Sequence, residues 1–288
     1  MIMVLFKQVD VFTAKPFKGN PVAVVMDANS LTTAQMQEIA NWTNLSETTF
    51  VLPAENPEAD YRVRIFTPAA SELPFAGHPT IGTAYALLEE GQIAVKNGKV
   101  VQECGAGLIN LTVKNDENGQ YKIAFELPEP KITTLEQVQI EKLEELLGCP
   151  IDLKLTPALI DVGARWIVVH TTDAQTVLNT KPDFAQLAIY SAEMNITGIC
   201  IYGEWSDTHI EVRSFAPACG VNEDPVCGSG NGSVAAFMRY HHKVTTEQLQ
   251  SSQGSCVGRD GHITLTIQDD KILVEGQAVT CIYGQVKI

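Results

Sequence analysis

The chain reads as an α+β protein made of two related halves, each a curved, mostly antiparallel sheet around one apolar helix. Three observations predict this. One stretch occurs twice: Arg64-Ile65-Phe66-Thr67-Pro68-Ala69 leads into Glu72-Leu73-Pro74-Phe75-Ala76-Gly77-His78-Pro79, and Arg213-Ser214-Phe215-Ala216-Pro217-Ala218 leads into Glu223-Asp224-Pro225-Val226-Cys227-Gly228-Ser229-Gly230, with two extra residues in the second copy. Each copy then enters a small-residue, apolar segment, 80–88 and 231–238. Such a segment, apolar nearly all round, belongs at the centre of a domain. The order of elements also repeats: strand pair, helix, strand pair, signature loop, helix, run of strands. A repeat of architecture supports the repeat of residues independently, and long strands with few helices suit an antiparallel α+β domain better than βαβ units.

Apolar alternation predicts strands over 6–12 and 21–26, joined by the turn Lys15-Pro16-Phe17-Lys18-Gly19-Asn20. Residues 31–42 form an amphipathic helix, capped within Leu31-Thr32-Thr33, with Met36, Ile39 and Ala40 on one face. Strands follow over 48–52 and 61–66, then a helix over 79–90 closed by Gly91. Strands near 99–103, 108–113 and 121–127 complete the first half. Pro128-Glu129-Pro130 reads as a linker, dividing the chain into domains 1–128 and 129–288, with the last strand free to return to the first domain. In the second half, 135–147 is a helix with Val138, Leu143, Leu146 and Leu147 apolar among acids, ended by Gly148. Strands over 158–162 and 166–170, a helix over 182–191, strands over 196–202 and 209–215, a helix over 228–240, and short strands from 254 onward complete the chain.

Composition excludes several classes of function. A formal charge of −14 lacks the clustered Lys and Arg that a phosphate backbone needs, so no nucleic-acid partner is expected. No apolar run approaches a membrane span, and the amino terminus lacks a small-residue cleavage site. Seven cysteines without regular spacing fit a reducing compartment, so the chain is expected to be cytoplasmic. No Cys-x-x-Cys pair occurs, and His241-His242 lacks ligand-spaced partners, so no metal is expected.

Where the two copies differ, Leu73 stands opposite Asp224, Ala76 opposite Cys227, and His78 opposite Ser229. Both loops end at a helix start, where unpaired amides and a partial positive charge attract anions. Gly77 and Gly228 there permit close backbone approach or positive φ. The plainer reading is a tight turn in which Ser229 or Thr80 caps the helix. Duplication with different polar groups favours one asymmetric site for a carboxylate. Gly228-Ser229-Gly230-Asn231-Gly232 has the wrong glycine spacing for a nucleotide loop and follows Asp-Pro rather than a strand. In Asn44-Leu45-Ser46-Glu47-Thr48, Glu47 marks the junction of a helix and an apolar strand. Partial desolvation there would raise its pKa toward neutrality and suit it to proton transfer.

Asp10-Val11-Phe12 with Gly19-Asn20-Pro21-Val22-Ala23-Val24, Asn44 to Thr48, Phe75-Ala76-Gly77-His78-Pro79-Thr80, and Glu223-Asp224-Pro225 with Gly228-Ser229 together resemble the PhzF (phenazine biosynthesis-like) family over nearly the whole chain. The resemblance implies the diaminopimelate-epimerase-like fold, two pseudo-symmetric barrel-like domains with the site in the cleft, and a homodimer. It implies an isomerase without metal or organic cofactor that moves a proton on a small carboxylate. Glu47 takes the place of the acid/base, with His78 and Asp224 as catalytic partners. Gly77, Gly228 and Ser229 take the place of substrate-binding groups, with Cys227 beside them. The phenazine enzymes carry Thr where this chain has Cys227. That thiol is either a Thr-sized packing residue or, with its pKa lowered by the helix start, a base working opposite Glu47 in a racemase or epimerase. A metabolite-binding protein without turnover is a third reading, which a base at Glu47 argues against. A Cys227–His78 hydrolase would need a third orienting group, and none is identifiable.

Overall fold

The computed structural model describes residues 3–69 and 72–287. The last residue of the short strands expected from 254 onward, 288, lies outside the described residues. The chain divides into two compact units: residues 1–126 with 275–288, and residues 127–274.

The first unit contains strands β1 (Met3–Val11) and β2 (Asn20–Val25), helix α1 (Thr33–Thr43), strands β3 (Thr48–Leu52), β4 (Tyr61–Phe66) and β5 (Glu72–Leu73), helix α2 (Gly77–Glu89), and strands β6 (Lys99–Cys104), β7 (Gly107–Asn115) and β8 (Tyr121–Glu126). The terminal strand Ala278–Lys287 pairs antiparallel with β1. The expected cap of α1 is present: the Thr32 hydroxyl accepts from the Gln35 amide, and the Gln35 side chain accepts from the Thr32 amide. Met36 and Ala40 are buried against β-sheet residues, with Ile39 packed beside them. Helix α2 is buried along nearly its whole length and packs on β1, β2, β3, β6, β8 and the terminal strand. Fully burying an apolar side chain such as Ile81 or Leu87 contributes about 1.5–3 kcal/mol, so the helix anchors the unit. Its C-terminal end receives the buried Lys7 of β1, whose Nζ lies 2.6 Å from Glu89 and 2.7 Å from Glu90. A cation at that end also suits the helix dipole.

The second unit contains β9 (Lys131–Thr134), α3 (Gln137–Leu147), β10 (Ala158–Asp161), β11 (Arg165–His170), α4 (Ala174–Asn179), α5 (Phe184–Glu193), β12 (Gly198–Ser206), β13 (His209–Ala216), β14 (Val221–Asp224), α6 (Gly228–Tyr240), β15 (Gln248–Gln253) and β16 (Gly261–Ile267). The boundary between the units falls within β17 (Ile272–Gly276). Helix α6 is buried like α2 and packs on β10, β11, β12 and β16.

Pairing within the two units repeats step for step. β1–β2 and β10–β11 are antiparallel, β2–β3 and β11–β12 parallel, β3–β4 and β12–β13 antiparallel. β4–β6 and β13–β15 are again parallel, and β6–β7 and β15–β16 antiparallel. The sheets are therefore mostly antiparallel. The expectation of no βαβ units needs correcting, because two parallel pairs in each unit are joined by helix-bearing crossovers, as parallel pairing requires.

The repeated residues make repeated contacts. Arg64 Nε and Nη2 donate to Glu72 at 2.8 and 2.6 Å; Arg213 does the same to Glu223 at 3.0 and 2.8 Å. Each guanidinium also lies over the Phe two residues on, Phe66 at 5.0 Å and Phe215 at 4.9 Å. In the second loop Pro217–Cys219 form a turn closed by Gly220 at φ 81°, a conformation glycine adopts without strain. Five elements escaped the sequence reading: β5, β9, α4, β14 and β15. Of the apolar residues that mark α3 in the sequence, Leu143, Leu146 and Leu147 are buried with Ile140, while Val138 is 68 % exposed. Among the described residues no helix is long and apolar enough to cross a membrane.

Candidate active site

In the first unit the structure brings Glu47 and His78 together. Helix α1 ends at Asn44, which adopts φ 51°, and β3 begins at the fully buried Thr48, so Glu47 is held on a short connection between two fixed elements. His78 is the second residue of α2. Thr83 Oγ1 donates to the Pro79 carbonyl at 2.7 Å and lies 2.9 Å from Thr49 Oγ1, which ties the start of α2 to β3. His78 Nε2 then lies 3.3 Å from Glu47 Oε2, with the two side chains 8 % and 17 % exposed. The pair is within ion-pair distance, yet neither atom makes a hydrogen bond inside the protein. Burial pushes the His78 pKa below 6.5, outweighing the Glu47 carboxylate and a hydrogen bond with the Pro21 backbone, which act the other way. With Nε2 unpaired, the Pro21 bond belongs to Nδ1–H. The neutral ring thus turns an acceptor toward Glu47, and one proton is needed between the two atoms or from a ligand.

No side chain caps α2, because its N-cap residue is Ala76. Neither Gly77 nor Gly228 has positive φ, so close approach is the operative reason for glycine at position 77. A Cβ there would meet the Phe125 ring at 2.6 Å.

In the second unit the turn carrying Asp224, Cys227 and Ser229 is held by buried amides. Gln253 Oε1 accepts from the Cys227 amide at 3.1 Å and from Asn231 Nδ2 at 2.7 Å, while Gln253 Nε2 donates to the Asp224 carbonyl at 2.9 Å. Asn231 Nδ2 also donates to the Cys227 carbonyl at 2.9 Å, and Ser251 donates to Asn231 Oδ1. Asp224 Oδ1 accepts from the Val226 amide at 3.0 Å, a local Asx-type bond. Such a satisfied buried network rigidifies what it holds. The first unit has a counterpart: Gln102 Nε2 donates to Thr80 Oγ1 at 2.9 Å and Gln102 Oε1 accepts from Tyr61 at 2.9 Å. Aligning Gly77 with Gly228 sets Thr80 opposite Asn231, and strand register sets Gln102 opposite Ser251. These polar partners were missed, although the repeat marks Thr80 and Asn231 as the same helical position.

Ser229 does not cap α6, nor does Thr80 cap α2. The cap of α6 is Cys227, whose Sγ accepts from the Gly230 amide at 3.2 Å. Ser229 Oγ instead accepts from Trp166 Nε1 at 3.0 Å. Of the two readings of Cys227, the one that needs a lowered thiol pKa is opposed by its surroundings. Burial raises it well above 9, and the Asp224 carboxylate and Cys200 thiol add to the rise, against weaker lowering by Ser229 and the Gly230 amide. Desolvation of a thiolate outweighs a single helix start. Among the described residues no group of three or more His, Cys, Asp or Glu side chains is placed to hold a metal ion.

The chain matches the model of the phenazine biosynthesis-like protein family, PhzC-PhzF, over residues 9–284. It is 43% identical over 289 residues, 97% of each chain, to antisense-enhancing sequence 1 of Schizosaccharomyces pombe. It is 34% identical over 252 residues, 87% of this chain and 86% of the relative, to trans-2,3-dihydro-3-hydroxyanthranilate isomerase of Pseudomonas chlororaphis. The crystal structure of a PhzF-family phenazine biosynthesis protein from Bacillus anthracis is similar over 100% of both chains, with TM-score 0.88 and 28% identity. A probable proline racemase from Agrobacterium radiobacter shares the fold, with TM-score 0.68 and 14% identity over 99% of this chain and 93% of that one. The chain therefore belongs to the phenazine biosynthesis-like (PhzC-PhzF) family and is an enzyme of the isomerase class.

Proposed function

We propose that this isomerase shifts a proton between two carbons of a small unsaturated cyclic carboxylate, with Glu47 as acid and base and no metal or organic cofactor. The observation that carries the reading is the buried pair of Glu47 Oε2 and His78 Nε2, 3.3 Å apart and without hydrogen bonds. A base that receives a proton from carbon on one face of a ring can return it elsewhere on that face, which gives a shift rather than an inversion. The C–H electron pair moves into the conjugated system, and the new C–H bond forms as Glu47 gives the proton back. Neutral His78 accepts a hydrogen bond while Glu47 holds that proton. Asp224 orients the substrate. The first-turn amide at Gly228, with the Ser229 hydroxyl, is assigned to a carboxylate, since helix starts favour anions, and the start of α2 at Gly77 favours an anion for the same reason.

The named activity of the Pseudomonas chlororaphis relative makes trans-2,3-dihydro-3-hydroxyanthranilate the first substrate to try. A racemase with Cys227 as the opposed base loses its support, since the thiol is buried, held protonated and engaged as a helix cap. Glu47→Gln is expected to lower turnover by about 10²- to 10⁴-fold, the usual contribution of a positioned acid/base. Wild-type turnover in that variant would sink the assignment.

A further inference from the structure

We propose that Trp166 is a positioning residue, whose indole N–H fixes the Ser229 hydroxyl as a hydrogen-bond donor toward a bound carboxylate. The inference rests on the assignment of Ser229 to the substrate carboxylate made above. A hydroxyl has one proton and two lone pairs, whereas an indole N–H can only donate. Trp166 Nε1, 3.0 Å from Ser229 Oγ, therefore occupies one lone pair. Cys227 Sγ lies 3.6 Å from the same oxygen and already accepts from the Gly230 amide. Either atom of that contact can donate. When the thiol hydrogen is the donor, both lone pairs are occupied and the single proton of Ser229 turns outward to whatever acceptor is present. Ser229 is only half-buried and is the second residue of α6, so an anion can reach both the hydroxyl and the helix start.

Trp166 has little freedom to turn away. It is 2 % exposed, the second residue of β11, paired with Ile160 on one side and Gly198 on the other. Gly198 makes room for the ring, since a Cβ there would come within 2.9 Å of Trp166 Cζ3. An indole N–H withdrawn from Ser229 would be buried without a partner, which is costly. The arrangement selects a group that accepts, such as a carboxylate, over one that only donates, such as an ammonium.

The test measures binding of 3-hydroxyanthranilate and of 2-aminophenol, which lacks the carboxylate, by calorimetry to wild type, Trp166→Phe, Ser229→Ala and the double variant. Trp166→Phe keeps the aromatic ring and removes the N–H. It is expected to weaken the acid by about threefold to tenfold, the net effect of one hydrogen bond, and to leave 2-aminophenol within about twofold. In the Ser229→Ala background the same change is expected to alter acid binding by less than about twofold, because the shared partner is gone. Equal weakening of the acid and 2-aminophenol, or undiminished weakening without Ser229, would mean a packing role and overturn the proposal. Wild-type affinity in Trp166→Phe, with Ser229→Ala weakened, would overturn the proposal alone. Wild-type affinity in Ser229→Ala, or no binding of the acid to wild type, would overturn the carboxylate assignment and the proposal with it. If Trp166→Phe does not fold, the indole N–H resonances of wild type and Ser229→Ala decide. The buried Trp166 signal is expected to shift on adding the acid to wild type only, and a signal that stays still overturns the proposal.

Discussion

Glu223→Gln removes the charge from one half of a buried ion pair, while Glu72→Gln makes the same change in the exposed copy of that pair. Arg213 and Glu223 are each 6 % exposed, and the Arg213 Nη1 group also donates to the carbonyls of Val177 and Thr180 at 3.0 and 2.7 Å. Those carbonyls belong to α4 and its C-cap, so the guanidinium cannot swing out to water without breaking them. Arg64 and Glu72 are 26 % and 42 % exposed, and water can replace the lost carboxylate. Breaking a buried pair from one side costs about 3–5 kcal/mol, because an uncompensated charge remains. An exposed pair contributes about 0.2–1 kcal/mol. Gln keeps one acceptor oxygen, so the lower end, about 3 kcal/mol, is expected for Glu223→Gln. With an m-value of about 2 kcal/mol per M, the urea midpoint of the second unit should fall by about 1.5 M. The Glu72→Gln midpoint should move by less than about 0.5 M. Trp166 and Trp205 fluorescence follows the second unit, Trp42 the first, and circular dichroism follows both. Equal midpoint shifts in the two variants, or a larger one for Glu72→Gln, would refute the argument that burial sets the value of the duplicated pair.

Two further outcomes follow from the titratable groups. The folded pKa of His78 is depressed below 6.5, so the unfolded chain binds a proton first as pH falls. The stability contributed by keeping His78 neutral is complete above about pH 6.5 and declines below it, down to the folded pKa. Melting temperatures measured from pH 7.5 to 5 should fall less steeply for His78→Asn than for wild type; parallel curves would contradict the reading. In the folded protein a disulfide reagent at pH 8 should modify the exposed Cys256 while sparing Cys227 and Cys200, which should react only after unfolding. Peptide mapping that finds Cys227 modified in the native state would restore it as a candidate base.

Much of the site was legible in the chain because its main signals are local. Gly77 and Gly228 begin helices, Thr32 caps α1 with its predicted neighbours, and Glu47 joins α1 to β3, all features of short stretches. Strand β9 was not legible: Lys-Ile-Thr-Thr alternates over too few residues to stand out. Its place comes from pairing with β10, as the terminal strand pairs with β1. Helix α4 is a single short turn-and-a-half whose role, holding Arg213, depends on a residue far along the chain. Val138 is apolar like Leu143, Leu146 and Leu147, but the rotation of α3 is set by what it packs on, and that rotation buries Ile140 and leaves Val138 exposed.

Cys227 separates the two kinds of knowledge most clearly. Its place at the start of an apolar helix can be read from the neighbouring glycines, because a helix start depends on a few adjacent residues. Whether its thiol ionises depends on desolvation, on Asp224 and on Cys200, a residue on another strand. The duplicated Arg, Phe, Glu and Gly likewise announce two units built alike, since the same local contacts form in both. Which copy of the ion pair is buried, where Trp166 meets Ser229, and which atom of His78 turns toward Glu47 arise when distant strands and helices pack. Burial and pair geometry are properties of that packing, and no window of sequence contains them.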